Sequence, residues 1–148
     1  MTDRIEKRVE MKAPIERVWR ALTDSTEFGQ WFQVKIDGPF VLGEPSRGHI
    51  TYPGYEHVQW EAQIVAMEPP SRFAFTWHPY AVDPEVDYST EPPTRVEFHL
   101  EPIAQGTRLI VVETGFDALP EHRRPDCLRM NDSGWAEQLE NIKTHVGG

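Results

Sequence analysis

The side chain with the most chemical potential in this sequence is a carboxylate on a predicted strand, Glu113. Residues 95–101 alternate polar and apolar side chains, which is typical of a half-buried strand with Phe98 on its buried face. If Gln105 and Gly106 form the two-residue turn of a hairpin, Phe98 lies opposite Glu113, which therefore points inward. A carboxyl group facing an apolar interior must be paired, hydrated or protonated, because an isolated buried charge is very costly.

Three roles for Glu113 stay open at this point. It could act as a general acid or base, which makes it the one weak catalytic candidate in the chain. It could instead recognise a polar group on a ligand. In the third interpretation it lies near the open end of the fold and meets water or an arginine.

Large apolar side chains on predicted inward faces could line a pocket for a flat or long apolar ligand. The predicted ligand-binding set comprises Trp31, Trp60, Phe75, Trp77, Phe98, Val111, Trp135 and Leu139, with Glu113 as its polar member. Each ring also suits an ordinary core, so the sequence leaves open whether the set surrounds a cavity. The indole donors of Trp60 and Trp135 need acceptors if they are buried, and a ligand or water could supply them.

The sequence lacks the familiar signatures of metal, cofactor and nucleophile sites. Its six histidines show no ligand spacing, such as a pair at i and i+4 beside a glutamate. No glycine-rich dinucleotide or phosphate loop occurs, and no serine lies in a nucleophile elbow. Cys127 is the only cysteine, which excludes an intramolecular disulfide and agrees with a reducing compartment. We therefore expect no metal and no cofactor.

Length and charge indicate a globular protein of one domain, residues 1–148. The formal net charge of -9 repels nucleic acid and anionic membranes, and among the 15 Lys and Arg only the pairs Lys7-Arg8 and Arg123-Arg124 are adjacent. The amino terminus lacks the apolar stretch of a secretory signal, and the aliphatic run 109–112 is too short to span a bilayer. We expect a cytoplasmic protein without nucleic-acid or membrane partners.

The first half of the chain predicts a strand, two short helices and then several strands. Pro14 suits the first turn of a helix, and Asp24 with its neighbours can end that helix and cap the next. A change of phase in the apolar pattern near 64–66 indicates a bulge that bends its strand. The predicted elements are strands at 4–12, 34–36, 47–52, 57–67 and 72–77, with short helices after Pro14 and after Asp24.

The segment 79–93 is rich in proline and acidic residues and is longer than an ordinary hairpin connection. It predicts a solvated acidic loop, with a lid over a binding site as the alternative.

The last segment has the period of a helix. Its apolar stripe contains Leu128, Trp135, Leu139, Ile142 and Val146. The helix could begin near Pro125 and run unbroken, or it could break near 131–134 into two helices. We favour one long helix in which Gly134 allows the closest approach to the sheet.

This order of elements is the helix-grip arrangement, an α+β fold in which a curved antiparallel sheet wraps around a long carboxy-terminal helix. Residues spread over nearly the whole chain carry a resemblance to a known family. They are Ala13-Pro14, Val18-Trp19, Leu22-Thr23-Asp24, Trp31-Phe32, the segment 68–77, Gly106-Thr107-Arg108-Leu109, Gly115, and Gly134-Trp135 with Leu139. In these residues the sequence resembles the homologues of the activator of heat shock protein 90 ATPase.

The resemblance implies the START-like (SRPBCC) superfamily, which looks like the birch pollen allergen and binds apolar molecules between helix and sheet. It favours a small apolar molecule as the ligand. A chaperone or another protein is the alternative partner. Related domains often pair, so self-association as a homodimer stays open. An enzyme of the cyclase or hydrolase kind, using Glu113, is the further alternative.

Overall fold

The fold is built on an antiparallel sheet. The computed structural model describes residues 4–79, 85 and 87–147. Within these residues the strands are β1 (Ile5–Met11), β2 (Val34–Ile36), β3 (Pro45–Ile50), β4 (Gln59–Glu68), β5 (Arg72–Trp77), β6 (Thr94–Ile103) and β7 (Gly106–Thr114). Their spatial order is β1-β7-β6-β5-β4-β3-β2. The helices are α1 (Ile15–Thr23), α2 (Ser25–Phe32) and α3 (Arg124–His145), with short 3-10 turns at Tyr88–Thr90 and Phe116–Ala118. This is the predicted α+β helix-grip fold.

The two short helices form where the sequence predicts them. Pro14 precedes α1 in an extended conformation, and α1 buries Val18 and Leu22 against the core. The Asp24 side chain accepts hydrogen bonds from the backbone N–H groups of Thr26 and Glu27, so it caps α2 as predicted. α2 therefore starts directly at the end of α1, and its last turn delivers aromatic side chains to the interior.

The predicted bulge in β4 is confirmed. The pairing with β5 shifts its register between Ile64 and Ala66. Ile64 belongs to the hydrophobic core before the bulge and Met67 packs against that core after it, so the extra residue lets the strand bend while its apolar side chains stay on the core.

The β6–β7 hairpin differs in register from the prediction. Ile103 pairs with Gly106, so the turn is formed by residues 104 and 105 and not by Gln105 and Gly106. Glu113 therefore lies opposite Val96. Because the register differs by an even number of residues, Glu113 still points inward, as predicted. Gly106 permits a close contact between β7 and β1, because a Cβ at this position would lie 2.0 Å from the carbonyl oxygen of Met11 at the end of β1.

α3 is one unbroken helix, which confirms the favoured interpretation. It buries Trp135, Leu139 and Ile142 from the predicted stripe, and the first fully buried residue is Cys127. Leu128 is only partly buried. The helix thus packs its aromatic and aliphatic face on the concave side of the sheet.

The outer face of the sheet carries a charge cluster centred on Glu97. Arg72 and Arg95 donate hydrogen bonds to its carboxylate, and the His99 ring lies 3.0 Å from it. Burial alone would raise the pKa of Glu97, but the hydrogen bonds and charges of the two arginines outweigh burial and hold this pKa at about 2.

We expect this cluster to make the folded state sensitive to acid. Because the pKa of Glu97 is lower in the folded state than its ordinary value of 4.5, its stabilisation is present above that pH and is lost as the pH falls toward about 2. Wild type should lose about 1 to 2 kcal/mol more free energy of unfolding between pH 6 and pH 3 than Glu97→Gln, after allowance for solvent screening. Urea unfolding at both pH values measures this difference, and equal losses in the two proteins would contradict it.

Candidate functional site

A cavity of about 350 Å³ opens between α3 and the sheet. The sheet side is lined by Trp60 from β4 and Trp77 from β5, and Phe32 at the end of α2 joins them. The half-exposed rings of Tyr52 and Tyr55, in the connection between β3 and β4, also line it. This side of the cavity therefore carries five aromatic rings from four separate parts of the chain, and the lining beside them consists of Ile50, Val58, Gln59, Glu61 and His78.

α3 contributes the remaining side of this cavity. Met130, Asn131, Gly134 and Gln138 line it at helical spacing. An adjoining recess of about 140 Å³ lies between three of these helix residues and the rings of Phe32, Trp77 and Trp135.

The aromatic rings support one another at edge-to-face and tilted angles. The ring centroids of Phe32 and Trp60 are 5.5 Å apart at 72°, and those of Trp60 and Trp77 are 5.7 Å apart at 69°. The rings of Trp77 and Trp135 lie 5.7 Å apart at 32°. These separations are the ones that aromatic pairs prefer, so the aromatic side of the cavity is held in place without a ligand.

The predicted ligand-binding residues divide into two groups. Trp60 and Trp77 line the cavity, and Trp135 lines the recess. The second group is buried in the hydrophobic core and consists of Trp31, Phe75, Phe98, Val111 and Leu139. Trp31 is explained by that core, since its indole donates to the carbonyl oxygen of Ala21 at 2.8 Å.

Sequence reasoning missed several lining residues. The predicted ligand-binding set omits Phe32, and Tyr52 and Tyr55 lie in a segment whose glycines and prolines hide any period. Asn131 and Gly134 were considered as a break in the helix. A signal was present, however, because Asn131, Gly134 and Gln138 follow one another at the spacing of a single helix face.

Glu113 lies beneath the middle of α3, inside the protein. Its side chain is 0% exposed and does not line the cavity. Trp135 donates to its Oε1 at 2.8 Å, and Trp77 donates to its Oε2 at 2.8 Å. The Thr94 hydroxyl donates to Oε2 at 2.6 Å, and the Asn131 amide reaches both oxygens, at 3.0 and 3.2 Å.

These contacts make Glu113 a tie between the sheet and the helix. The carboxylate belongs to β7, its partners Trp77 and Thr94 belong to β5 and β6, and the other two partners belong to α3. Three of the four donors are indole or amide N–H groups that have no accepting capacity at that atom. The carboxylate therefore satisfies buried donors that apolar surroundings would otherwise leave unpaired.

Protein side chains, and not a ligand or water, accept from the buried indoles of Trp60 and Trp135. The Ser46 hydroxyl accepts from Trp60 at 2.9 Å, and Glu113 accepts from Trp135. The acceptors come from strands distant in sequence, so no local pattern around either tryptophan announces them.

The prediction that Gly134 allows the closest approach of α3 to the sheet is wrong. A Cβ at this position would meet nothing within 4 Å, so the glycine does not allow a close approach to the sheet. It lines both the cavity and the recess. An open space, not a tight contact, lies beside its Cα.

The acidic segment 79–93 is described only in part. Residues 80–84 and 86 lie outside the described residues, so the lid interpretation concerns a segment that the structure does not describe as a whole. At its far end Glu91 forms an ion pair with Arg123, and both side chains are only 11% exposed. The Arg123 guanidinium also donates to the carbonyl oxygen of Pro79 and lies 4.5 Å from the ring centroid of Tyr88. Arg123, at the start of α3, therefore contacts both ends of this segment.

The Cys127 thiol lies close to the contact between Arg123 and Pro79. Its sulfur is 3.6 Å from the carbonyl oxygen of Pro79, and burial raises the pKa of the thiol. A protonated, buried thiol is a poor nucleophile.

The residues that the structure describes lack two further features. No group of three or more His, Cys, Asp or Glu side chains in this part of the chain could hold a metal ion. No helix in the described ranges is long and apolar enough to cross a membrane.

Solved structures share this fold over nearly the full chain. A protein from Mesorhizobium loti is 22% identical with a TM-score of 0.75, over 97% of this chain and 96% of that chain. A protein from Bacillus halodurans is 25% identical with a TM-score of 0.71, over 98% of this chain and 97% of that chain. The Aha1 dimer from Colwellia psychrerythraea is 19% identical with a TM-score of 0.73, over 99% of this chain and 96% of that chain.

Curated protein sequences provide no match to the chain. A protein family, in contrast, matches nearly its whole length. The match covers residues 12–147, which include α1 and α2, all strands after β1, and α3. The chain therefore belongs to the family described as activator of Hsp90 ATPase homolog 1-like protein.

Proposed function

We propose that this protein acts in the cytoplasm as one START-like domain that binds a small apolar molecule, without a metal or cofactor, between α3 and the sheet. The observation that carries the proposal is the open cavity of about 350 Å³ with its aromatic side formed by Phe32, Trp60 and Trp77. Ligand pockets typically have volumes of about 300 to 1,000 Å³, are mainly apolar and are formed before the ligand arrives.

The packing of the surrounding residues supports this proposal. The core beneath the cavity is closed by fully buried side chains such as Phe75 and Phe98. The nearby carboxylate, Glu113, is fully enclosed by protein donors and is not on the cavity lining. We include no catalytic step at Glu113; the acid and the base on the cavity lining are Glu61, which is exposed, and His78, which is partly buried.

Native mass spectrometry of protein purified gently from its own host tests the proposal. We expect a reproducible mass adduct that organic extraction removes. The variant Val58→Phe places a ring into the cavity lining and should lose the adduct. The matched control His57→Phe adds the same ring at the exposed neighbouring position, outside the lining, and should keep it. Spectra of wild type that are repeatedly free of any adduct would contradict the proposal.

A second candidate is a protein-interaction module. It is favoured by the half-exposed side chains of Tyr52, Tyr55 and Met130 at the cavity. The partner would be a second copy of this chain, as in the Aha1 dimer of Colwellia psychrerythraea, or the chaperone in the family's description. Light scattering during size exclusion tests the first of these: a dimer that Tyr52→Ser with Tyr55→Ser converts to monomer would favour this candidate over ligand binding.

A further inference from the structure

Gly134 occupies a position at which glycine destabilises the helix. It lies in the middle of α3, which has 22 residues, and glycine is less favourable there than any residue except proline. Packing does not require it, because a Cβ would meet nothing within 4 Å. The position lines both the cavity and the recess, so the missing side chain keeps space open there.

The space beside Gly134 is bounded by flat rings. The recess of about 140 Å³ lies between this stretch of α3 and the rings of Phe32, Trp77 and Trp135. The Phe32 and Trp77 centroids are 6.1 Å apart at 59°. A group that fills the recess contacts ring faces and edges on one side and bare helix backbone on the other, which suits a thin, flat ring system.

Asn131 adds a polar requirement to this recess. Its Nδ2 donates to both oxygens of Glu113, at 3.0 and 3.2 Å, and a carboxylate demands that the amide present its nitrogen there. The amide is therefore fixed in one orientation. Within the described part of the chain, its Oδ1 accepts no hydrogen bond, although the side chain lines the cavity and the recess.

We propose that the occupant of this cavity is a flat aromatic molecule that carries an O–H or N–H group. Its ring lies in the recess against Gly134, and its donor binds Oδ1 of Asn131. This inference rests on the proposed binding function and specifies the class of ligand. Glu113 is a positioning residue in this arrangement, since it fixes the Asn131 amide and accepts from the indoles of Trp77 and Trp135. A ligand without a donor would desolvate Oδ1 and leave it unpaired, which is unfavourable.

Calorimetric titration of the full chain with two matched probes tests the donor requirement. The probes are 2-naphthol and 2-methoxynaphthalene, which share the ring system but differ in the O–H group. We expect 2-naphthol to bind about tenfold more tightly, the usual effect of one buried hydrogen bond. Equal affinities, or tighter binding of the methyl ether, would overturn the inference.

The variant Gly134→Ala tests the space requirement. It should raise the Tm of the ligand-free protein by about 2 to 4 °C, because alanine favours the helix and meets no neighbour. It should also weaken 2-naphthol binding about tenfold by filling the recess. The control Ser133→Ala lies on the exposed face of the same helix and should leave the affinity unchanged. An affinity of Gly134→Ala equal to that of wild type would overturn the inference.

The two proposals fail in distinguishable ways. If native spectra show a host adduct that Val58→Phe removes, but 2-naphthol does not bind, the ligand class is wrong and the binding function stands. If wild type shows no host adduct and binds neither probe, both proposals are overturned.

Discussion

Replacing Glu113 with glutamine is expected to lower the free energy of unfolding by about 3 kcal/mol. The side chain has the same shape, but one carboxylate oxygen becomes an NH₂ group that cannot accept. Trp77, Trp135 and Asn131 all donate to this carboxylate. The variant therefore leaves at least one buried donor facing another donor, with no water to replace the lost acceptor.

Urea unfolding at neutral pH measures this effect. The control Glu10→Gln removes a carboxylate from an exposed pair with Arg108 on the outer face, and it should cost less than about 0.5 kcal/mol. A loss for Glu113→Gln no greater than that of the control would contradict the view that this carboxylate ties α3 to the sheet. Such an outcome would return Glu113 to the list of candidates for catalysis.

Replacing Arg123 with methionine is expected to lower the free energy of unfolding by about 3 kcal/mol. Arg123 and Glu91 are both 11% exposed, so the variant leaves the carboxylate of Glu91 largely desolvated without its opposite charge. The carbonyl oxygen of Pro79 loses a donor as well. Removing one partner of a buried pair is more damaging than removing both.

A double variant separates the pair from general damage at this position. Arg123→Met combined with Glu91→Gln should recover part of the stability lost in Arg123→Met alone, when both are followed by urea unfolding. The control Arg129→Met removes an exposed pair with Asp126 on the same helix and should change stability by less than about 0.5 kcal/mol. Strictly additive losses in the double variant would show that the two charges do not stabilise each other.

The features that could be predicted from the sequence are those that appear as a local pattern of apolar and polar residues. The inward direction of Glu113 follows from strand alternation. It is correct although the predicted hairpin turn is wrong, because the predicted and observed partners of Glu113 differ by two residues, an even number. The bulge in β4 appeared as a change of phase, and the cap of α2 appeared as Asp24. Each of these is a local pattern, so it is visible without knowledge of the tertiary structure.

The features that were missed depend on which elements meet. The acceptors of Trp60 and Trp135 come from β3 and β7, and nothing in the local sequence specifies those contacts. Tyr52 and Tyr55 reach the cavity from an irregular connection that has no period to interpret.

Glycine was the other source of error, because it serves close approach in one place and open space in another. Gly106 permits the contact with β1, whereas Gly134 leaves room beside α3. The residue type is the same at both positions, and only the surrounding atoms distinguish the two uses.

The most direct test of a ligand site between α3 and the sheet is nuclear magnetic resonance of the indole N–H signals during titration with 2-methoxynaphthalene. This probe depends only on the apolar cavity, not on the donor proposed for the ligand. We expect the signals of Trp60 and Trp77, which line the cavity, to shift with a common affinity. The signal of Trp19, on α1 and outside the lining, should stay constant. Unshifted Trp60 and Trp77 signals up to the solubility limit of the probe, or an equal shift of Trp19, would contradict the proposed site.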